Sequence, residues 1–437
     1  MRKNSLGALV AAGLLAGGFS AGSASAADLG GNCCADLEER IAELEATTAR
    51  KGNRKVSLTV SGWVGEQVMW WDDGRESNTY VVGLGSTLSS HFKFTGQATI
   101  SPGWYAGYVI HVEAISSDSL TINQHNSVGP AALSNGGFGG YQTQLLQSFW
   151  FIKSDHLGKV SVGLQSQASD NTAILVDGSG SLVPANWVAF EYGGFFLRDK
   201  NTGTLFDGTG GNPLARLGMN SRCVGGGAVG DCNGATQHVV RYDSPTFGGF
   251  SVSASWGEDD MWDVAARYAG EHAGFKVAVA AAYNEISGTN LANTGDTFQY
   301  FQIGGYIEHV PTGLFAYGAY GHNQSDLLSG DSDTYYVKAG LRERWTPLGH
   351  TVLYGEYEQS KGDGGFSLSS TALNGDFVGS SSKMQLWGLG VVQEIDAAAM
   401  SLWVSYRHIS QDDSLANGAG IDFEDFQYVK AGALINF

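Results

Sequence analysis

Residues 428–437 read YVKAGALINF. Val429, Ala431, Ala433, Ile435 and Phe437 are apolar, whereas Lys430, Gly432 and Asn436 between them are not. A period of two is the mark of a β-strand with one greasy face. A strand that runs to Phe437 with no turn behind it fits the closing strand of a cylinder, its last ring lying at a membrane interface.

The same alternation fills the chain from Lys55 onward. Val56, Leu58, Val60, Val64, Val68 and Trp70 alternate with Ser57, Thr59, Ser61 and Gln67. In HFKFTGQATI, Phe92, Phe94, Ala98 and Ile100 share one face, opposite His91, Lys93, Thr95 and Gln97. After the turn SPG the pattern resumes with Trp104, Ala106, Tyr108, Ile110, Val112 and Ala114. Further strands are expected near 145–154, 159–166, 237–243, 249–256, 262–269, 274–283, 298–308, 314–322, 334–345, 350–358, 383–393, 399–408 and 426–437, about sixteen with the first three. Short links such as SPG, SDHLG, HVPTG and TPLGH alternate with longer ones, of which 167–237 is by far the longest. That rhythm is what an up-and-down barrel of the outer-membrane type requires.

Charge and volume place the greasy face outside. Sixteen strands enclose a lumen too wide for side chains to fill, so the interior is water and the apolar face meets lipid. Backbone groups in the hydrocarbon layer are satisfied only if the sheet closes. Composition agrees, with 63 glycines, 7 prolines, 18 tyrosines and 11 tryptophans in 437 residues. Trp70, Trp71, Trp256, Trp262 and Trp345 fall near strand ends, as aromatic girdles would. A formal charge of −18 excludes nucleic acid as a partner. The fold class expected is therefore all-β, a transmembrane antiparallel up-and-down barrel with a long pore-constricting loop.

The N-terminus reads as an export signal over residues 1–26: Arg2 and Lys3, an apolar run from Leu6 to Phe19, then the small-residue site Ala24-Ser25-Ala26. Residues 27–54 form a periplasmic segment in which Leu37, Ile41 and Leu44 share a helical face. That helix either bundles with copies of itself or serves as a solvated linker. The barrel occupies 55–437. Export exposes Cys33, Cys34, Cys223 and Cys232 to an oxidising compartment. Cys223 and Cys232 flank the flexible VGGGAVGD, a spacing that permits a loop disulfide, and no CxxC or His spacing supports a metal.

The block CCADLEERIAELEATTARKGNRKVSLTVSG, the following WDDGRESNTYVV and the loop segment GGFFLRD resemble alphaproteobacterial porins of the rhizobial and Brucella type. The terminal Phe437 is similar to the assembly signature of outer-membrane proteins. The resemblance implies a trimeric channel in the outer membrane of a Gram-negative bacterium, passing small hydrophilic solutes and ions without any cofactor. It also implies that the long loop folds into the lumen. Asp177, Glu191 and Asp199 would then face Lys93, Arg342 and Arg344 across a transverse field, with Arg198 holding the loop's shape. An acidic loop predicts cation preference, which the other inward basic residues oppose.

Hairpin geometry about SPG sets His91 opposite Glu113 and Lys93 opposite His111, all facing the lumen. A metal there is disfavoured because Lys93 would repel it. Glu66 interrupts the apolar face of the first strand; a bulge at Gly62 or a subunit contact would each explain it. No GxSxG, HExxH or P-loop is present, so an enzyme is not expected. Three alternatives to the passive channel are a sugar-selective channel using Trp187, Phe195 and Phe196, an outer-membrane hydrolase, and a structural anchor of the envelope.

Overall fold

The computed structural model describes residues 55–127, 142–208, 215–218, 236–257, 260–287, 297–325, 331–363, 379–415 and 420–437. The expected export signal, the helix within 36–50 and all four cysteines lie outside the described residues.

The regular structure of the described chain is almost entirely strand. In order these are β1 (Thr59–Asp72), β2 (Ser77–Gly83), β3 (His91–Ser101), β4 (Trp104–Ile115), β5 (Gln142–Ser154) and β6 (Gly158–Gln165). Then come β7 (Gln237–Asp243), β8 (Phe250–Gly257), β9 (Trp262–His272), β10 (Phe275–Ser287), β11 (Thr297–His309) and β12 (Leu314–Ser325). The last are β13 (Ser332–Thr346), β14 (Gly349–Asp363), β15 (Gly379–Ile395), β16 (Met400–Leu415), β17 (Gly420–Asp422) and β18 (Phe426–Asn436). Every pairing is antiparallel, and β1 joins β18 in unbroken register from Trp63 opposite Asn436 to Asp72 opposite Gln427. The sheet is therefore closed, and no edge is left to face lipid.

Two of the sixteen crossings are broken in two. β1 pairs with β2 over its upper half and with β3 over its lower half. β2 and β3 are thus one crossing, interrupted by an inward turn at residues 84–90. Likewise β16 pairs with β17 above and β18 below. The stretch between β1 and His91 is a tight turn at 73–76 followed by β2, a strand that the alternation did not mark. In that turn the Asp73 carboxylate accepts hydrogen bonds from the amides of Arg75 and Glu76.

Side chains alternate as the sequence implies. On β13, Val337 is 55 % exposed on the outer wall, whereas its neighbour Lys338 is 2 % exposed. Val64, Val404 and Ile435 face outward, and Arg407 and Lys430 face inward and are buried. Trp70, Trp256, Trp262 and Trp345 are exposed on the outside near strand ends. Trp71 departs from the expected girdle, because its odd position in β1 points it into the lumen, where it packs 5.1 Å from Phe195. No helix among the described residues is long and apolar enough to cross a membrane; the chain crosses with strands.

Most lumen-facing residues of β10 to β18 are buried although the barrel is hollow, because the segment after β6 lies against them.

Candidate functional site, the lumen and its loop

The segment from 166 onward leaves β6 and runs around the inner wall, bonded to one strand after another. The Ala168 amide donates to Ser255 Oγ (2.9 Å) on β8, and the Ser169 amide to Asp263 Oδ2 (2.7 Å) on β9. Gln302 of β11 brackets the loop, accepting from the Ala173 amide and donating to the Ser169 carbonyl. Gly304 makes this approach feasible: a Cβ there would lie 2.2 Å from the Ala173 carbonyl oxygen. Tyr317 of β12 donates to that same carbonyl at 2.8 Å.

Charge pairs then pin the loop. Lys338 Nζ lies 2.5 Å from Asp177 Oδ2, with both side chains fully buried, and also donates to the Ala185 carbonyl. Arg407, itself paired with Glu356 at 2.8 Å, donates to the Asn186 carbonyl. Lys430 meets Glu191 Oε2 at 2.8 Å, and Gln67 donates to Glu191 Oε1 at 2.7 Å. Buried charges of this kind are held by their partners; removing one partner leaves the other stranded at a cost of about 3–5 kcal/mol.

The expected site residues are thus distributed differently from a transverse field. Asp177 and Glu191 are on the inserted loop, but both turn to the wall and are neutralised there. Asp199 sits at the outer rim: it bridges Phe423 beside β17, and its carboxylate accepts from the Thr202 amide and hydroxyl. Those bonds hold the Asp199 carboxyl below its ordinary range. Arg198 does stabilise the loop, yet its partners are Asp73 (2.9 Å) and Glu76 (3.3 Å) of the first turn and not a loop carboxylate. Arg342 lies beneath the loop at Gly180 and pairs with Glu394 at 2.8 Å. Arg344 is at the short-turn rim, paired with Asp396 and half exposed.

Lys93, His111 and Glu113 are together, as hairpin register requires, but they are buried under the inward turn 84–90. Glu113, 0 % exposed, accepts from the Thr87 amide (3.1 Å) and Gln144 Nε2 (2.7 Å). Thr87 adopts φ +73, a strained conformation for a β-branched residue that this anchorage over-determines. The His91 and His111 rings are 4.2 Å apart. Among the described residues no cluster of His, Cys, Asp or Glu is arranged to hold a metal ion. Trp187, Phe195 and Phe196 are also buried, packed between loop and wall, so they do not offer a sugar a stacking surface.

Nothing in the sequence says that Lys338 and Arg407 are consumed by a loop carboxylate and loop carbonyls. The loop side chains that remain accessible are of another kind. From Thr172 to Arg198 the only non-glycine side chains that are not buried are Leu175, Val176 and Val183.

A closed barrel with an apolar outer wall, a polar inner face and a loop pinned within the lumen defines a transmembrane channel protein. The model of the Gram-negative porin family matches residues 8–427, and the chain belongs to that family. No curated protein sequence matches it. The anion-selective porin from Comamonas acidovorans has a similar structure, with a TM-score of 0.54 at 14% identity over 87% of this chain and 100% of that one. OmpF of Salmonella typhi, solved with daunomycin, gives 0.52 at 14% over 89% and 99%. OmpT of Vibrio cholerae gives 0.50 at 13% over 89% and 99%. At such identities the likeness is one of fold.

Replacing Lys338 by Met strands the buried Asp177 carboxylate and is expected to destabilise the loop's docking by about 3–5 kcal/mol. Limited proteolysis should cut within 170–190 faster than in the parent, and adding Asp177→Asn should restore most of the protection. Burial pushes the Asp170 carboxyl up to about 7, while the Ser166 hydroxyl and Arg241 pull it down. Its unfolded counterpart ionises near 4, so stability should fall as pH rises from about 4 to about 7 and stay level above. Asp170→Asn should flatten that slope in denaturant midpoints measured from pH 4 to 8.

Proposed function

We propose that this porin is a passive, water-filled diffusion channel for small hydrophilic solutes and ions, without enzymatic activity. One observation carries the selectivity reading: the loop's carboxylates are spent on the wall. On the wall formed by β5, β6 and β7, the accessible inward charged side chains are mostly basic. Lys153 and Lys159 stand opposite each other in the β5–β6 register, sharing a row with Asp243. Asp243 serves both Lys159 (3.1 Å) and Arg241 (2.7 Å), so cations outnumber carboxylates there. This supports an anion preference, opposite to what an acidic loop facing the pore would give.

Kinship with the rhizobial and Brucella porins rests on the N-terminal block and WDDGRESNTYVV. The same proposal includes an export signal at 1–26, a periplasmic segment at 27–54, a Cys223–Cys232 loop disulfide and a homotrimer. The trimer has support from Glu66. The β1–β18 register runs without a bulge, so Glu66 lies on the outer wall between Val64 and Val68. Its carboxylate accepts a 2.6 Å hydrogen bond from Ser116 Oγ, with Gly83 and Ala433 paired alongside. An ionised side chain in the lipid-facing band is destabilising, less so for a carboxylate than for Arg or Lys. A face covered by neighbouring copies avoids that cost.

In planar bilayers with a KCl gradient, the reversal potential should have the sign of chloride preference; a potassium sign refutes the selectivity. Lys153→Gln with Lys159→Gln should move it toward potassium, and Asp199→Asn should leave it in place. Glu66→Arg should convert trimers to monomers in mild detergent, read by light scattering on a sizing column.

A further inference from the structure

The accessible edge of the inserted loop is aliphatic. Over residues 172–198 every charged side chain is buried, and Leu175, Val176 and Val183 alone emerge part-way from the packing. The reason is local. Ile174 and Leu182 anchor the loop in the cluster that also holds Tyr306, Tyr317 and Tyr354. Asp177, between Val176 and Gly178, is drawn to the same wall by Lys338, whose ammonium lies 5.7 Å from the Tyr317 and Tyr354 ring centroids. The flanking Leu175, Val176 and Val183 pack against the same cluster and stay part-exposed.

Basic side chains adjoin this edge. Arg267 of β9 donates to the Ala168 carbonyl (2.6 Å) and to Thr172 Oγ1 (3.0 Å), one turn before Leu175. On β10, Ala278 packs on the same cluster as Leu175 and Val176, and the next inward residue, Lys276, lies in register between Glu271 and Glu308 and adds no net positive charge. Lys153, Lys159 and Arg241 continue the basic surface around the wall. Arg241 donates to the Ser166 and Gln167 carbonyls where the loop leaves the wall, so this basic row lies beside the loop's first residues.

We propose that the constriction favours small organic anions with an apolar body, such as aromatic carboxylates, through Leu175, Val176 and Val183 acting with Lys153, Lys159 and Arg241. The proposal rests on the channel reading above. A plain aqueous pore sieves by size and charge, so acetate outruns benzoate. Here the ring of benzoate sheds water against the aliphatic edge while its carboxylate tracks the basic wall, and the apolar gain offsets the larger size.

The test is bi-ionic reversal potential at neutral pH, with potassium benzoate against potassium acetate across bilayers holding the full-length protein. A benzoate-to-acetate permeability ratio above one is expected, on the order of fourfold, the factor that shielding about one methylene's worth of apolar surface supplies. A ratio at or below one overturns the proposal. The triple variant Leu175→Asn, Val176→Asn, Val183→Asn changes only part-exposed positions and should bring the ratio down to one or less; an unchanged ratio removes the loop edge from the explanation. Absence of any current in plain KCl refutes the channel reading itself, a result distinct from a channel that conducts chloride but sieves benzoate by size.

Discussion

The structure depends on one constraint: in hydrocarbon no backbone N–H or C=O can be left without a partner. Closure of β1 against β18 answers it, and the rest follows. Once the cylinder is closed, each strand divides its residues between lipid and lumen with no third option. Val337 and Lys338, adjacent in sequence, therefore live in opposite solvents. The closed wall also encloses more space than its side chains fill, which obliges the chain to supply a filler of its own.

That filler is the segment after β6, and its attachment is electrostatic where it passes β13, β16 and β18. Lys338, Arg407 and Lys430 each hold a loop carboxylate or carbonyl in a setting sealed from water. Buried pairs of this kind contribute little net stability compared with a greasy substitute, but breaking one is costly, because it strands the remaining charge away from water. The consequence for function is indirect. The carboxylates of Asp177 and Glu191 are withdrawn to the wall, leaving part-exposed aliphatic side chains on the loop, while Lys153, Lys159 and Arg241 outnumber Asp243 on β5 to β7.

A further departure from a simple barrel is the broken second crossing. The turn at 84–90 folds inward over Glu113, His111 and Lys93, with Trp63 donating to the Leu88 carbonyl. Four polar side chains that hairpin register aims at the lumen become a sealed cluster. Glu66, on the outer side of the same region, sits where lipid would be an unfavourable neighbour. Inner seal and outer carboxylate together mark β1 to β4 as the least barrel-like part of the wall.

The sequence by itself determined the barrel: alternation with period two, short and long links in turn, and the greasy parity of YVKAGALINF suffice, because lipid and water sort side chains locally. It also placed the loop's starting strand and the inward basic residues. It missed β2, whose short Tyr80-Val81-Val82 core hides behind the Asp73 turn. Only the tertiary structure decided which charges meet. Asp177 finds Lys338 across 161 residues and Glu191 finds Lys430 farther still along the chain, and an ion pair depends on distance in space, which no periodicity encodes.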